Sequence, residues 1–174
     1  EKGSALEELA KKSATHAALA RLLGEYAGLF DPKALHSPGP LLQSFRERQQ
    51  REQELLERLR AMGPAAVDAL KDMLLGLSNR QYRIFLGKGL AGIEGPDALA
   101  AVSAILGEVK DVALQTTLVR FLPANPNSAR TIGEAISHEE NGNLRCMLLR
   151  EYHRRLAPGD EAGRDIFREA ALND

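Results

Sequence analysis

Tryptophan is absent from this 174-residue chain, and aromatic residues make up only 5% of it. The single cysteine, Cys146, rules out an internal disulfide, so the sequence leaves the cellular compartment open. No apolar run approaches the roughly 18 to 20 residues that a membrane-spanning helix needs. The 23 basic and 24 acidic residues give a net charge of -1, which disfavours a globally basic nucleic-acid-binding protein.

β-Branched residues are few and never alternate with polar ones, so the sequence predicts no β-strands. Hydrophobic residues still form 44% of the chain, which is enough for a buried core. No signal-peptide pattern is present, and the chain starts at Glu1 without a methionine, which leaves room for a signal, an anchor or a further domain upstream. We expect a soluble all-α domain and favour the cytoplasm as its compartment.

The N-terminal third predicts two long helices joined by a loop. Apolar residues recur at helical spacing through residues 5–30, with Ser4 as the expected N-cap. Prolines interrupt the pattern in residues 31–40. A second helix from Leu41 to Met62 has apolar residues near its ends, Phe45 among them. Its centre, residues 46–54, is almost wholly polar, so we expect the centre to stand in water or to contact a second copy.

The rest of the chain is repetitive. A Gly-Pro step at residues 63–64 recurs 32 residues later at residues 95–96, and polar helix starts at Ser128 and Asp160 continue this spacing. Each block predicts a pair of short helices, with an offset of 30 in the third pair. The residues expected to face the core are Val67, Leu70, Met73, Leu74, Tyr82, Phe85, Leu86, Leu90, Leu99, Val102, Ile105, Leu106, Leu114, Leu118, Phe121, Leu122, Ile132, Ile136, Leu144, Leu148, Leu149 and Tyr152.

The second helix of each pair carries its own pattern. An apolar residue is followed by an arginine and then by small or apolar residues three, six and seven places further on. Residues 82–90 follow this pattern, and residues 144–152 follow it less closely, with Glu151 where a small residue is usual. Arg83 and Arg145 occupy the arginine position, and in the middle pair Gln115 replaces the arginine.

Over residues 63 to about 156, this pattern resembles the HEAT-like repeat family. Tetratricopeptide repeats are the nearest rival, but their Trp, Leu-Gly and Tyr positions are missing. The resemblance implies a short right-handed α-solenoid, in which first helices form the convex layer and second helices the concave layer that commonly holds partners. It also implies that Arg83 and Arg145 are structural, because the family arginine usually ties adjacent loops together.

This resemblance predicts two parts of the chain. Residues 1–62 would form an N-terminal hairpin of longer helices, which caps the array or pairs with a second copy as a homodimer. Residues 63–174 would form the repeat array, and a helix from Asp160 to Leu172 would cap its other end.

The two predicted layers differ in charge. First helices are mainly acidic, whereas second helices are mainly basic, with Asp111 and Glu151 as their acidic residues. The basic residues of the second helices also have a structural interpretation. In it, they interact with the negative ends of the helix dipoles and keep the surface hydrated. Guanidinium groups pair readily with carboxylates and phosphates, so we expect an acidic or phosphorylated protein partner here. The predicted binding residues on this layer are Arg80, Lys88, Arg120, Arg150 and Arg154.

Nucleic acid is the alternative partner. Some HEAT-like DNA glycosylases hold duplex DNA in a basic concavity with aromatic residues near the lesion. The lack of tryptophan and the near-zero net charge argue against this alternative, since phosphate contacts dominate such affinity.

Three possible enzyme or cofactor motifs lack the context they require. Gly87, Gly89 and Gly92 spell G-x-G-x-x-G inside a predicted helix, where small residues let helices approach, and not after a strand. The four histidines lack the i, i+4 spacing of a helical metal site. Arg145 beside Cys146 is not a base, and the histidine nearest to this cysteine in sequence, His153, lies seven residues further on. We therefore expect a scaffold for protein binding, without catalysis, cofactor or metal.

Overall fold

The computed structural model describes residues 2–30, 41–156, 164, 165 and 168. Within these residues the chain is helical and contains no strand, so the predicted all-α class is confirmed. The helices are α1 Lys2–Ala10, α2 Ala14–Gly28, α3 Leu41–Ala61, α4 Val67–Gly76 after a 3-10 turn at Pro64–Ala66, α5 Arg80–Ala91, α6 Pro96–Glu108, α7 Val112–Phe121, α8 Pro126–His138 and α9 Gly142–His153. The loop predicted at residues 31–40 and most of the predicted capping helix lie outside the described residues.

The chain forms two compact units, Glu1–Gly89 and Leu90–Asp174, which we call the N-terminal unit and the C-terminal unit. The boundary between them lies within α5. The boundary predicted between residues 62 and 63 marks the start of the repeats, whereas the two units are defined by their compactness. The predicted boundary therefore stays a prediction.

The first 30 residues form two helices where we predicted one. The chain leaves the helix after Ala10, and α2 begins behind Ser13, whose Oγ accepts a hydrogen bond from the backbone N–H of His16 at 3.2 Å. Serine is among the favoured N-cap residues because its side chain satisfies an otherwise unpaired amide. The predicted N-cap at Ser4 is wrong, since α1 already begins at Lys2.

The core of the N-terminal unit lies among α1, α2, α4 and the start of α5. Helices α1, α2 and α4 contact one another, and α3 packs on α2. The rings of Tyr26 and Phe85 stack with their centroids 4.3 Å apart. Burial, together with the nearby charge of Glu52, raises the pKa of Tyr26 to about 12.

From residue 45 onwards, helix α3 is buried towards its C-terminal end, where Leu55, Leu56 and Leu59 pack into the core. Its centre, residues 46–54, is exposed along most of its length, as predicted, and contact with a second copy stays a prediction. Phe45, the apolar residue named near the N-terminal end of this helix, is 53% exposed and does not extend the buried side.

Gly89 marks a close approach between α5 and α3. A methyl group at this position would overlap the side chain of Leu59, which is fully buried. This contact agrees with the interpretation of the glycine motif as small residues that let helices approach.

The C-terminal unit consists of two helix pairs, α6 with α7 and α8 with α9. The first helices, α6 and α8, contact each other, and so do the second helices, α7 and α9. Most of the predicted core residues of this unit are buried. Phe121 is an exception at 39% exposure, and Leu99 is only partly buried, whereas Leu122 is buried as predicted.

Three of the helix starts share an X-Pro step. Gly63 and Gly95 precede proline with φ angles of 64° and 125°, which favour glycine, and Asn125 precedes Pro126. The Asn125 side chain accepts a hydrogen bond from the Ser128 amide at 2.9 Å. The third block therefore begins at Pro126 and not at the predicted Ser128, so the offset of 30 residues applies to both helices of that pair.

Candidate functional site

Each second helix of a pair begins at a side-chain cap. Asn79 Oδ1 accepts from the Tyr82 amide at 3.3 Å, Asp111 Oδ1 from the Leu114 amide at 3.2 Å and Asn141 Oδ1 from the Leu144 amide at 3.1 Å. Such caps satisfy amides that have no partner inside the helix. They fix where each second helix starts and therefore which of its residues face outward.

The arginine position of the repeat pattern has a structural contact in both units. Arg83 Nε donates to the carbonyl oxygen of Leu74 at 3.1 Å, and Gln115 Nε2 donates to the carbonyl oxygen of Leu106 at 3.1 Å. Each acceptor lies in the last turn of the preceding first helix, where carbonyls lack helical partners. The residue at this position therefore ties the two helices of a pair together, whether it is arginine or glutamine. Arg145 occupies the same position in α9 and is half-buried.

The N-terminal unit holds two of the predicted binding residues. Arg80 is exposed at the start of α5. Lys88 Nζ lies 2.6 Å from Glu52 Oε1, and both side chains are mostly buried, at 24% and 21% exposure. The charge of Lys88 is therefore compensated inside this unit, and Arg80 is the more available of the two cations.

The C-terminal unit holds the other three predicted residues, and all are exposed. Arg120 lies on α7, Arg150 on α9 and Arg154 directly after α9. Arg120 and Arg150 make no ion pair with any residue that the structure describes. Arg154 Nη1 lies 3.0 Å from Glu151 Oε1, although the arginine side chain remains 72% exposed.

Sequence reasoning missed the role of Arg155, whose side chain is only 5% exposed. Its Nη1 lies 2.7 Å from Glu151 Oε2, and its Nη2 donates to the carbonyl oxygens of Val119 and Leu122, each at 3.0 Å. Burial alone would raise the pKa of Glu151, but hydrogen bonds from Arg155 and Arg154 outweigh it and lower that pKa. The available signal was a glutamate where the repeat usually has a small residue, four places before an arginine.

Exposed apolar side chains accompany these cations on α7. Val112 is 46% exposed and Phe121 is 39% exposed, and they lie at the two ends of the helix that carries Arg120. On α7 and α9 together the sole carboxylate is Glu151, which is buried against Arg155. We call the exposed surface of these two helices, with Arg120, Arg150 and Arg154, the basic face.

Ser13, His16 and Asp72 lie together, with Ser13 Oγ 2.8 Å from His16 Nδ1 and His16 Nε2 3.6 Å from Asp72 Oδ2, whereas Cys146 and the possible metal ligands form no site within the described residues. Cys146 is exposed on α9. Among the described residues, no three histidine, cysteine, aspartate or glutamate side chains are grouped as metal ligands would be. Within the same part of the chain, no helix has the length and apolar character needed to cross a membrane.

Neither a protein-family model, nor a curated protein, nor a solved structure matches this chain. The resemblance to HEAT-like repeats therefore stays a prediction that rests on the residue pattern quoted above.

Proposed function

We propose that this protein is a non-catalytic interaction module that binds an acidic or phosphorylated protein segment on the basic face of its second helices. The proposal includes a short right-handed α-solenoid of HEAT-like helix pairs as the scaffold that carries this face. The observation that carries the proposal is that α7, α9 and the residue directly after α9 expose three arginines, while the sole carboxylate of the two helices is buried.

The charge on the basic face is only partly compensated. Glu151 offsets one of its two arginine partners, Arg154 and Arg155, so this cluster keeps one net positive charge. Arg120 and Arg150 add two more charges without an ion pair among the described residues. Exposed guanidinium groups bind carboxylate or phosphate oxygens through paired hydrogen bonds, which favours an anionic partner.

The apolar neighbours favour a protein over a nucleic acid. Phe121 offers apolar surface next to Arg120 and Val112 offers it at the other end of α7, and stable protein interfaces commonly bury apolar residues at their centre. A nucleic-acid interface would depend mainly on many phosphate contacts. The basic face has few cations, and the chain as a whole has a net charge of -1.

The experiment uses a short synthetic peptide of glutamate, leucine and phenylalanine, labelled for fluorescence anisotropy. A second peptide replaces each glutamate with glutamine, and a duplex DNA is the third probe. We expect saturable binding of the acidic peptide, weaker binding of its glutamine analogue, and a residual affinity at high salt from the apolar contacts. Duplex DNA that binds more tightly than the acidic peptide, with an affinity that falls steeply with salt, would favour the nucleic-acid alternative instead.

Two double variants, each reversing two positive charges, test whether the basic face binds the peptide. Arg120→Glu with Arg150→Glu reverses two charges on the basic face and should weaken acidic-peptide binding about tenfold or more. Lys110→Glu with Arg130→Glu makes the same change elsewhere in the C-terminal unit and should leave binding nearly unchanged. Equal losses from the two pairs would show that net charge, and not this face, attracts the peptide.

A further inference from the structure

A cleft of about 580 Å³ opens in the C-terminal unit between its two helix pairs. It is bounded by the segments after α6 and after α8, with Val109 and Asn141 among its lining residues. Three buried leucines, Leu106, Leu144 and Leu148, contribute to its apolar lining together with Val109, Val112 and Ala135. The volume lies within the range of roughly 300 to 1,000 Å³ that is typical of ligand sites in proteins.

The lining of this cleft carries more negative than positive charge. Glu134, Glu139 and Glu140 contribute carboxylates, while Lys110 is the one lysine or arginine among the lining residues. None of the three carboxylates forms an ion pair with a residue that the structure describes. Glu139 Oε1 accepts a hydrogen bond from the Asn141 amide at 2.7 Å, so this glutamate also holds the loop in place.

Gln115 provides independent evidence that the cleft binds a ligand with a hydrogen-bond donor. This side chain lines the cleft and is 6% exposed, and its Nε2 is engaged with the Leu106 carbonyl. Its Oε1 receives no hydrogen bond from the described residues. Because this oxygen has no donor among the described residues and its side chain lines the cleft, a ligand that donates to it gains a hydrogen bond.

We infer that this cleft binds the side chain of an arginine from a partner polypeptide. The aliphatic stem of arginine packs on apolar surface while its charged end stays with polar groups. Its guanidinium has five donors in a planar fork, which can serve the Gln115 oxygen and a carboxylate together. Lysine offers a compact ammonium without this fork, so arginine fits the acceptors better. The cleft shares Val112 with the apolar surface of the basic face, but its three carboxylates lie outside α7 and α9, so the inference does not depend on the function proposed for that face.

The test is an NMR titration of the full chain with a blocked Gly-Arg-Gly peptide. Peptides with lysine or glutamine in place of arginine are titrated in parallel. We expect the arginine peptide to shift the amide resonances of Gly107, Val109 and Asn141 saturably, the lysine peptide to bind more weakly, and the glutamine peptide not to bind. Shifts that are absent, or that are equal for the arginine and glutamine peptides, would overturn the inference.

A matched pair of variants locates the site. Glu134→Gln with Glu140→Gln removes two exposed carboxylates from the cleft and should weaken the arginine peptide about tenfold. Glu94→Gln with Asp97→Asn makes the same charge change outside the cleft, in the same unit, and should leave the affinity unchanged. Equal weakening by both pairs would refute a site in the cleft. A salt titration of the unaltered protein gives a readout independent of any variant, since affinity that does not fall with salt would also refute it.

Discussion

Arg155 Nη2 lies 3.0 Å from the carbonyl oxygen of Leu122, the residue that caps the C-terminal end of α7. The same guanidinium pairs with Glu151 on α9, so one side chain joins the ends of two neighbouring second helices. Carbonyls at a helix end lack helical partners, and a cation is favoured there by the helix dipole. Arg155 therefore stabilises the unit, while Arg154 beside it also pairs with Glu151 but stays largely exposed.

Replacing Arg155 should destabilise the protein far more than replacing its neighbour. Arg155→Met removes the partner of a buried carboxylate and two helix-end contacts, and should lower the free energy of unfolding by about 2 to 4 kcal/mol. Arg154→Met removes an exposed pair and should cost less than about 1 kcal/mol. Urea denaturation of both variants measures the difference, and similar costs would show that the buried pair has no special role.

The stabilisation by Glu151 should depend on pH. Because hydrogen bonds from both arginines lower the pKa of Glu151 in the folded state, its contribution is complete above the ordinary glutamate pKa of about 4.3. It is lost as the pH falls through the lowered folded pKa. Glu151→Gln should therefore cost about 1 to 3 kcal/mol at neutral pH and less in acid. Urea curves at several pH values test this, and a difference that stays constant on acidification would contradict it. Glu140→Gln, at an exposed carboxylate without an ion pair, is the control and should cost little at neutral pH.

The middle repeat should accept the arginine that its neighbours carry. Gln115→Arg keeps a donor for the Leu106 carbonyl and has the adjacent cleft to occupy, so we expect a change of less than about 1 kcal/mol. Gln115→Leu keeps the size of the side chain but leaves this carbonyl without its donor, which should cost about 1 to 3 kcal/mol. Thermal or urea unfolding of the two variants ranks them. An arginine variant less stable than the leucine variant would refute the shared role of Gln115 and Arg83.

Two glycine-to-alanine changes in the N-terminal unit should have opposite effects. Gly89→Ala places a methyl group against the buried Leu59 side chain and should destabilise by about 1 to 3 kcal/mol. Gly24→Ala, in the middle of α2 with no atom near the added methyl group, should stabilise by about 0.5 to 1 kcal/mol through better helix propensity. Melting temperatures of both variants suffice as the measurement, and destabilisation by both would contradict the assigned contact.

Local chemistry made much of the fold predictable. Gly-Pro steps and capping side chains such as Asn79 determine helix starts through contacts between residues near in sequence. Ser13 offered the same kind of signal and was overlooked, because the apolar spacing continues through the break between α1 and α2. Pro126 was overlooked because a strict 32-residue spacing placed the start two residues later.

The candidate site was only partly predictable, because charges that are alike in sequence differ in their tertiary surroundings. Lys88, Arg150 and Arg155 all lie at the C-terminal ends of second helices or just beyond them. In the folded chain Lys88 pairs with Glu52, Arg155 is buried on α7 carbonyls, and Arg150 stays exposed. A periodic pattern places a residue on one side of its helix, but it does not identify the partner that another helix brings to it.

The sequence by itself determined the helical class, the pairing of short helices and most of the buried positions, because periodicity and capping act within a few residues. Tertiary structure alone decided which cations form ion pairs and that a cleft with carboxylates opens between two helix pairs. It also decided that Gln115 makes the same kind of hydrogen bond to the preceding helix as Arg83. These features depend on distances between residues that are far apart in sequence, such as the 33 residues between Leu122 and Arg155. Such distances are set by packing and not by local preference.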